Sequence, residues 1–440
     1  GHAMIRFVLS FVLLMAALPA RADIDVREIT TSGGLNAWLV EDHSIPFVAL
    51  ELRFRGGGSL DPEGKRGVTN LMVGLLEEGA AEMDAQGFAR ASESLAADFN
   101  YSVNDDRVSV SARFLTENRD QAIDLLRASL VEPRFDPDAI ERVRAQILSI
   151  INSAQTDPRD IVAKAFDGLV FGDHPYGSSL DGTVESVTAL TRDDIVAAYQ
   201  GALARDRIYV SAVGDITEAE LAALLDRLLG DLPETGAPLP GAADPNLPGG
   251  VKVTDFATPQ SIVAFAQPGI DRDHPDFFAA YILNHILGGG GFESRLMTEV
   301  REKRGLTYGV YSYLADKDAA QLWMGSVASA NDRVAEAISV IRAEWARMHT
   351  DGVTPEELEN AKTYLTGAYP LQFEGNGPIA DIAVGMQMEG LPTDYITTRN
   401  DKVNAVTLED INRVARDLLD PEALTFVVVG QPEGLDSTLN

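Results

Sequence analysis

Two short stretches decide how this chain folds: IYVSAVGD, Ile208 to Asp215, and LTFVVVGQ, Leu424 to Gln431. Each is an apolar run of strand length closed by a glycine, and Gly214 and Gly430 lie 216 residues apart. A second pair repeats at nearly the same offset. FDPDAIERVRAQI (Phe135 to Ile147) and VTPEELENAKTYL (Val353 to Leu365) both open a helix with proline followed by acidic residues, and Pro137 and Pro355 are 218 residues apart. Proline and negative charge are favoured at a helix N-terminus. Two features at one spacing imply a duplicated fold.

Between the copies, Gly230 to Gly250 carries Pro233, Pro238, Pro240, Pro245 and Pro248. Neither helix nor strand runs through so many prolines, so this segment is expected to be a semi-rigid linker. The expected division is then 1–22 as a leader, 23–229 as a first lobe, 230–250 as linker and 251–440 as a second lobe. Phe47 to Phe54 and Arg107 to Phe114 alternate like strands, and Leu115 to Leu130 has helical spacing. This mixture predicts an α+β fold of two homologous lobes, each with antiparallel sheets covered by helices.

The 440 residues include 36 Lys+Arg against 67 Asp+Glu, a net charge of −31. That balance excludes general nucleic-acid binding, since phosphates would be repelled. The absence of cysteine excludes disulfides, thiolate metal sites and a cysteine nucleophile. No G-x-S-x-G elbow is present, which argues against an independent serine hydrolase. Gly1-His2-Ala3 ahead of Met4 reads as an expression remnant. From Met4, a basic residue, an apolar run from Phe7 to Leu18 and Ala20-Arg21-Ala22 form a secretory signal with cleavage expected after Ala22. A periplasmic or secreted protein is expected, with no membrane span after cleavage.

The stretch RFRGGGSLDPEGKRGVTNLMVGLLEEGA, Arg53 to Ala80, passes from a strand through a glycine turn into a helix starting near Gly67. With FGDHPYGSSLDGTVESV (Phe171 to Val187), it resembles the pitrilysin and insulin-degrading-enzyme family of inverted zincins. That resemblance covers most of the mature chain. It implies a zinc-binding H-x-x-E-H helix and a third glutamate ligand on a later helix. Here those positions are Asn70, Val73, Gly74 and, in ERVRAQILSIINSAQTDP, Ile150. An amide, two aliphatic side chains and a bare backbone cannot hold zinc or accept a proton. No cofactor is therefore expected in this chain. Glu77 and Glu78 are expected to form a solvated helix end, and His174 to be structural. The resemblance also places Asn100 on an edge strand that lays out extended substrate, although a cap or turn would use the same residue.

In the second half the chain reads NHILGGGGFESRLMTEVREKRGLTYGVYSYL, Asn284 to Leu314. Gly288 to Gly291 lacks the strand and the Gly-Lys-Ser/Thr ending of a phosphate loop; sharp turning and close packing are expected instead. A helix is expected from Glu293, with Leu296, Met297 and Val300 on one face, and a strand alternating through Leu306, Tyr308, Val310 and Ser312. REKRGLTY resembles the family's Arg–Tyr pair, which implies that Arg301 and Tyr308 donate hydrogen bonds to substrate and to a developing oxyanion. Loss of the zinc motif with retention of this pair resembles the non-catalytic chain of two-chain peptidases. The expected function is a subunit that completes the active site of a zinc-bearing homologous partner acting on peptides. The alternative is an inert peptide-binding or scaffold protein of the same fold.

Overall fold

The computed structural model describes residues 24–440. The leader, with its cleavage site after Ala22, lies outside them. Among the described residues, thirteen strands form two large sheets and one small hairpin. In the first half these are β1 (Arg27–Thr30), β2 (Asn36–Glu41), β3 (Phe47–Arg55), β4 (Gly79–Ala80), β5 (Met83–Asp84), β6 (Asp98–Val103), β7 (Arg107–Leu115) and β8 (Ile208–Gly214). In the second they are β9 (Gly250–Asp255), β10 (Gln260–Pro268), β11 (Val310–Asp316), β12 (Gln321–Ala330) and β13 (Thr425–Gly430).

The first sheet runs β1-β2-β8-β3-β7-β6 and the second β9-β13-β10-β12-β11. Without β1 the two orders superpose strand for strand. Neighbours are antiparallel except one pair per sheet, β2 with β8 and β9 with β13, which are parallel in both. One exceptional pairing at the same place in each sheet is what duplication produces. Each sheet ends in a strand paired on one side only, β6 in the first lobe and β11 in the second.

The helical elements repeat as well. Pro137 and Pro355 stand at the first turns of the helices Pro137–Ala154 and Pro355–Ala368, where a missing N–H costs nothing. Each lobe buries a hydrophobic core between one face of its sheet and its own helices, including Leu50, Leu52, Phe54 and Leu71 in the first lobe and the aromatic Phe265, Trp323, Trp345 and Phe426 in the second.

The other face of each sheet is covered by a helix from the opposite half. Helix Asn376–Met388 lies on β3 and β8, packing Ala380 against Val40, Ala49 and Val213. Its polar ties are specific. Ser211 Oγ donates to the Ala380 carbonyl at 2.6 Å, Gln387 Oε1 accepts from Val210 N at 2.9 Å, and Arg53 pairs with Asp381. In return, helix Pro158–Phe171 lies on β10 and β13, packing Val162, Phe166 and Val170 against Ala266, Val427 and Val429. Residues 231–249 form no helix or strand. They follow the body, with Asn246 N donating to the Val170 carbonyl and Ala243 N to that of Ala319, both at 2.8 Å.

Two local expectations are corrected. The helix expected from Glu293 begins later: Gly291–Glu293 is a single 3-10 turn, and the following helix contains a π-helical turn over Met297–Glu302, with Lys303 N bonded to the Thr298 carbonyl. The strand expected to begin at Leu306 begins at Val310, which leaves Tyr308 in a bend. Thr307 explains this. Its hydroxyl donates to the Ala328 carbonyl at 2.6 Å and accepts from Gly309 N at 3.1 Å, a local closure that competes with a ladder.

Candidate functional site

Two places require description: the seam where the family's zinc motif would fall, and the Arg301–Tyr308 segment. The seam lies in the first lobe between helix Val68–Gly74 and helix Pro137–Ala154. Asn70 Nδ2 donates to Asp181 Oδ1 at 3.2 Å. Val73 is buried in the core cluster of that lobe. A Cβ added to Gly74 would stand 3.0 Å from Val143 Cγ1. Ile150 is 54% exposed. Asn70 is thus held by a carboxylate, Val73 and Gly74 by packing, and Ile150 faces solvent. Zinc does not fit this donor set, and among the described residues no group of three or more His, Cys, Asp or Glu could hold a metal ion. Glu78 pairs with Arg142 at 2.7 Å, and the Glu77 carboxyl is raised above its ordinary value by desolvation from the surrounding protein and by Glu78 beside it.

His174 is structural. Its Nδ1 accepts from Tyr176 N at 3.1 Å and its Nε2 donates to the Gly241 carbonyl at 2.9 Å, tying its loop to the linker. Asn100 sits mid-strand in β6, opposite Ser111, with its side chain exposed. It is therefore neither a helix cap nor a turn residue.

The second place is built from two interrupted helices. Helix Phe277–Asn284 continues as a π-helical turn, His285–Gly289, so the first two glycines of the run belong to its end. Gly288 presses onto β11, where a Cβ would meet Ser312 Oγ at 2.3 Å. Leu296, Met297 and Val300 are all buried, which aims the other side of the second helix outward. Arg301 stands in its last turn, with its Cζ 4.9 Å from the centroid of the Phe292 ring. Among the described residues its guanidinium makes no hydrogen bond and no ion pair. Tyr308 is 87% exposed, and its hydroxyl likewise has no partner among them. π-helical turns cost hydrogen-bond geometry and occur often at functional sites; here two of them frame the glycine run.

The sequence singled out Arg301 and Tyr308 but gave no account of Phe292 or of the stacked pair His285–Tyr364, whose centroids are 5.1 Å apart. The one available signal was an aromatic residue directly after four glycines. No hydrogen bond or ring contact joins the seam to the Arg301–Tyr308 segment among the described residues.

Comparison with known proteins places the chain in a family. Residues 37–184 match the family described as Insulinase (Peptidase family M16), and residues 189–365 match the Peptidase M16 inactive domain. The chain belongs to the M16 peptidase family. It is 27% identical over 390 residues to a Helicobacter pylori protein named non-peptidase homolog YmxG, covering 88% of this chain and 90% of that one. It is 24% identical over 334 residues to a probable mitochondrial-processing peptidase subunit beta of Schizosaccharomyces pombe, covering 71% of each. A crystal structure of a peptidase M16 inactive domain from Pseudomonas fluorescens matches with a TM-score of 0.87 at 29% identity, covering 95% of this chain and all of that one. Within the family, this member carries Asn70, Val73, Gly74 and Ile150 where the resemblance would place the zinc ligands and the base.

Proposed function

We propose that this chain is the non-catalytic subunit of a two-chain zinc peptidase, and that Arg301 and Tyr308 complete an active site carried by a homologous partner. The observation that carries the reading is the state of those two side chains: a half-buried guanidinium and an exposed phenol whose N–H and O–H groups have no hydrogen-bond partner among the described residues. A donor without an acceptor among them is available to an acceptor brought by another chain. The partner would supply zinc and the general base. This chain would supply fixed donors, the planar fork of Arg301 and the hydroxyl of Tyr308, to the carbonyl oxygen of a bound peptide. Such donors act most strongly where negative charge grows. Asn100, on the free edge β6, would contact the extended peptide through strand addition. The leader at Met4 to Ala22 supports a periplasmic or secreted location, and among the described residues no helix is long and apolar enough to cross a membrane.

The name of the Helicobacter relative favours a second reading, an inert peptide-binding or scaffold protein. Mixing the purified chain with an H-x-x-E-H homologue from the same source separates the two. The subunit reading expects a new species by size-exclusion chromatography, with peptidase activity far above that of either chain. Co-elution without a gain in activity supports the scaffold and overturns the subunit.

A further inference from the structure

We propose that Phe292 is a positioning residue that holds the Arg301 guanidinium flat, so that its N–H edge stays free for an oxygen atom of a bound peptide. The inference rests on the role given to Arg301 above, and it explains why the four-glycine run ends in an aromatic residue.

The chain is rich in acid, and the cations beside Arg301 have all found carboxylates. Arg295 pairs with Glu357 at 2.7 Å, and Lys303 and Arg304 share Glu299 at 2.7 and 2.9 Å. Among the described residues Arg301, in the same short segment, pairs with no carboxylate; its Cζ lies over the Phe292 ring instead, 4.9 Å from the centroid. The two arrangements differ chemically. A carboxylate occupies the N–H fork edge-on and uses up its donors. An aromatic ring engages the flat face of the guanidinium and leaves its in-plane N–H groups unspent. Stacking is therefore the way to fix the direction of a guanidinium that must still donate to something else.

The backbone is arranged to put the ring there. Gly291 has φ +62° with nothing within 4 Å of an added Cβ, so backbone conformation rather than space calls for glycine. The 3-10 turn that follows it, Gly291–Glu293, carries Phe292 out to 69% exposure. Phe292 is the only phenylalanine among the strongly exposed large apolar side chains of the described residues.

The test begins on the purified full chain with its arginines labelled with 15N, the Arg301 Nε–Hε signal being identified by its absence in Arg301→Lys. A proton held against a ring face is shifted upfield. The native protein and Phe292→Tyr should share that shift, and Phe292→Leu should lose it, with all three melting at the same temperature. In the complex with the zinc-bearing homologue, Phe292→Leu should lower kcat roughly two- to fivefold, the range expected of an exposed cation–π contact, and Phe292→Tyr should restore it. An unchanged Arg301 signal in Phe292→Leu, or equal losses in the Leu and Tyr variants, overturns the proposal. If the signal behaves as expected while Arg301→Ala leaves the activity of the complex intact, the positioning by Phe292 stands and the role assigned to Arg301 falls.

Discussion

The first-lobe seam and the second-lobe Arg301–Tyr308 segment occupy related places in a duplicated fold, yet their side chains are in opposite states. In the seam three of the four motif positions are satisfied locally: Asn70 by Asp181, Val73 by the core, Gly74 by the closeness of Val143, while Ile150 is exposed. In the second lobe the Arg301 guanidinium and the Tyr308 hydroxyl have no hydrogen-bond partner among the described residues. A site that has lost its chemistry relaxes into ordinary packing, because unsatisfied polar groups and poor packing cost stability. The Tyr308 hydroxyl, being exposed, is hydrated and bears no such cost. The contrast is between one place closed by local contacts and one that keeps polar groups facing solvent.

The contrast can be broken by experiment. The largest effect is expected from Val73→Glu, which restores the residue type of the zinc motif inside what is now core. A carboxylate buried there without a partner should cost about 3–5 kcal/mol, read as a fall in the urea midpoint; a stability within about 1 kcal/mol of native would show that the seam is still a polar site. Next comes the retained pair. In the complex, Tyr308→Phe should lower turnover ~10²- to 10³-fold, or roughly 3–4 kcal/mol, with Arg301→Ala at least as harmful and neither changing the melting temperature. Activity within about twofold of native, at unchanged association, would end the chemical role of the pair.

A smaller effect is expected beneath the second-lobe sheet edge. Burial pushes the Asp167 carboxyl up to about 6, with Asp105 adding to the rise and Lys317 and Arg66 opposing it. Its value in the unfolded chain is about 3.9. The native state therefore binds the extra proton between those values, and this group's contribution falls as pH rises through about 6. Asp167→Asn should stabilise the protein by about 2 kcal/mol at pH 7.5 and by almost nothing at pH 4. A difference that does not vary between the two pH values would show that Asp167 is ionised normally. The smallest effect is expected for Ile150→Glu. This position is exposed, so restoring the family's ligand residue should shift stability by no more than about 0.5 kcal/mol. Dialysed protein carrying that change should still hold no stoichiometric zinc by metal analysis.

Much of the fold was legible because it is written locally. Phe47–Arg55 and Arg107–Leu115 alternate and are strands; Pro137 and Pro355 mark helix starts; Gly214 and Gly430 end equivalent strands. The empty zinc motif was legible because Val73, Gly74 and Ile150 have no polar side-chain atom and Asn70 offers only a neutral amide. What could not be read depends on distant contacts. Nothing in NGPIADIAVGMQM, Asn376 to Met388, says which of two similar sheets it will cover, since either offers an apolar face. Tyr308 was misplaced because Tyr and Val alternate as they do in strands, while the hydroxyl of Thr307 closes the loop first. Phe292 could not be paired with Arg301, because a stacking partner nine residues away across a turn leaves no periodic trace.

The exchange of helices between halves sets a timetable for synthesis. The strands of the first sheet are complete once Gly214 has been made, but the helix that covers their outer face ends at Met388. At about 5–20 residues per second, the chain grows for roughly 9–35 s between those points. During that interval the apolar side chains of Val40, Ala49 and Val213 have no cover. The nascent first half is therefore a sticky intermediate by construction, and it reaches its final state only when nearly nine-tenths of the polypeptide has emerged.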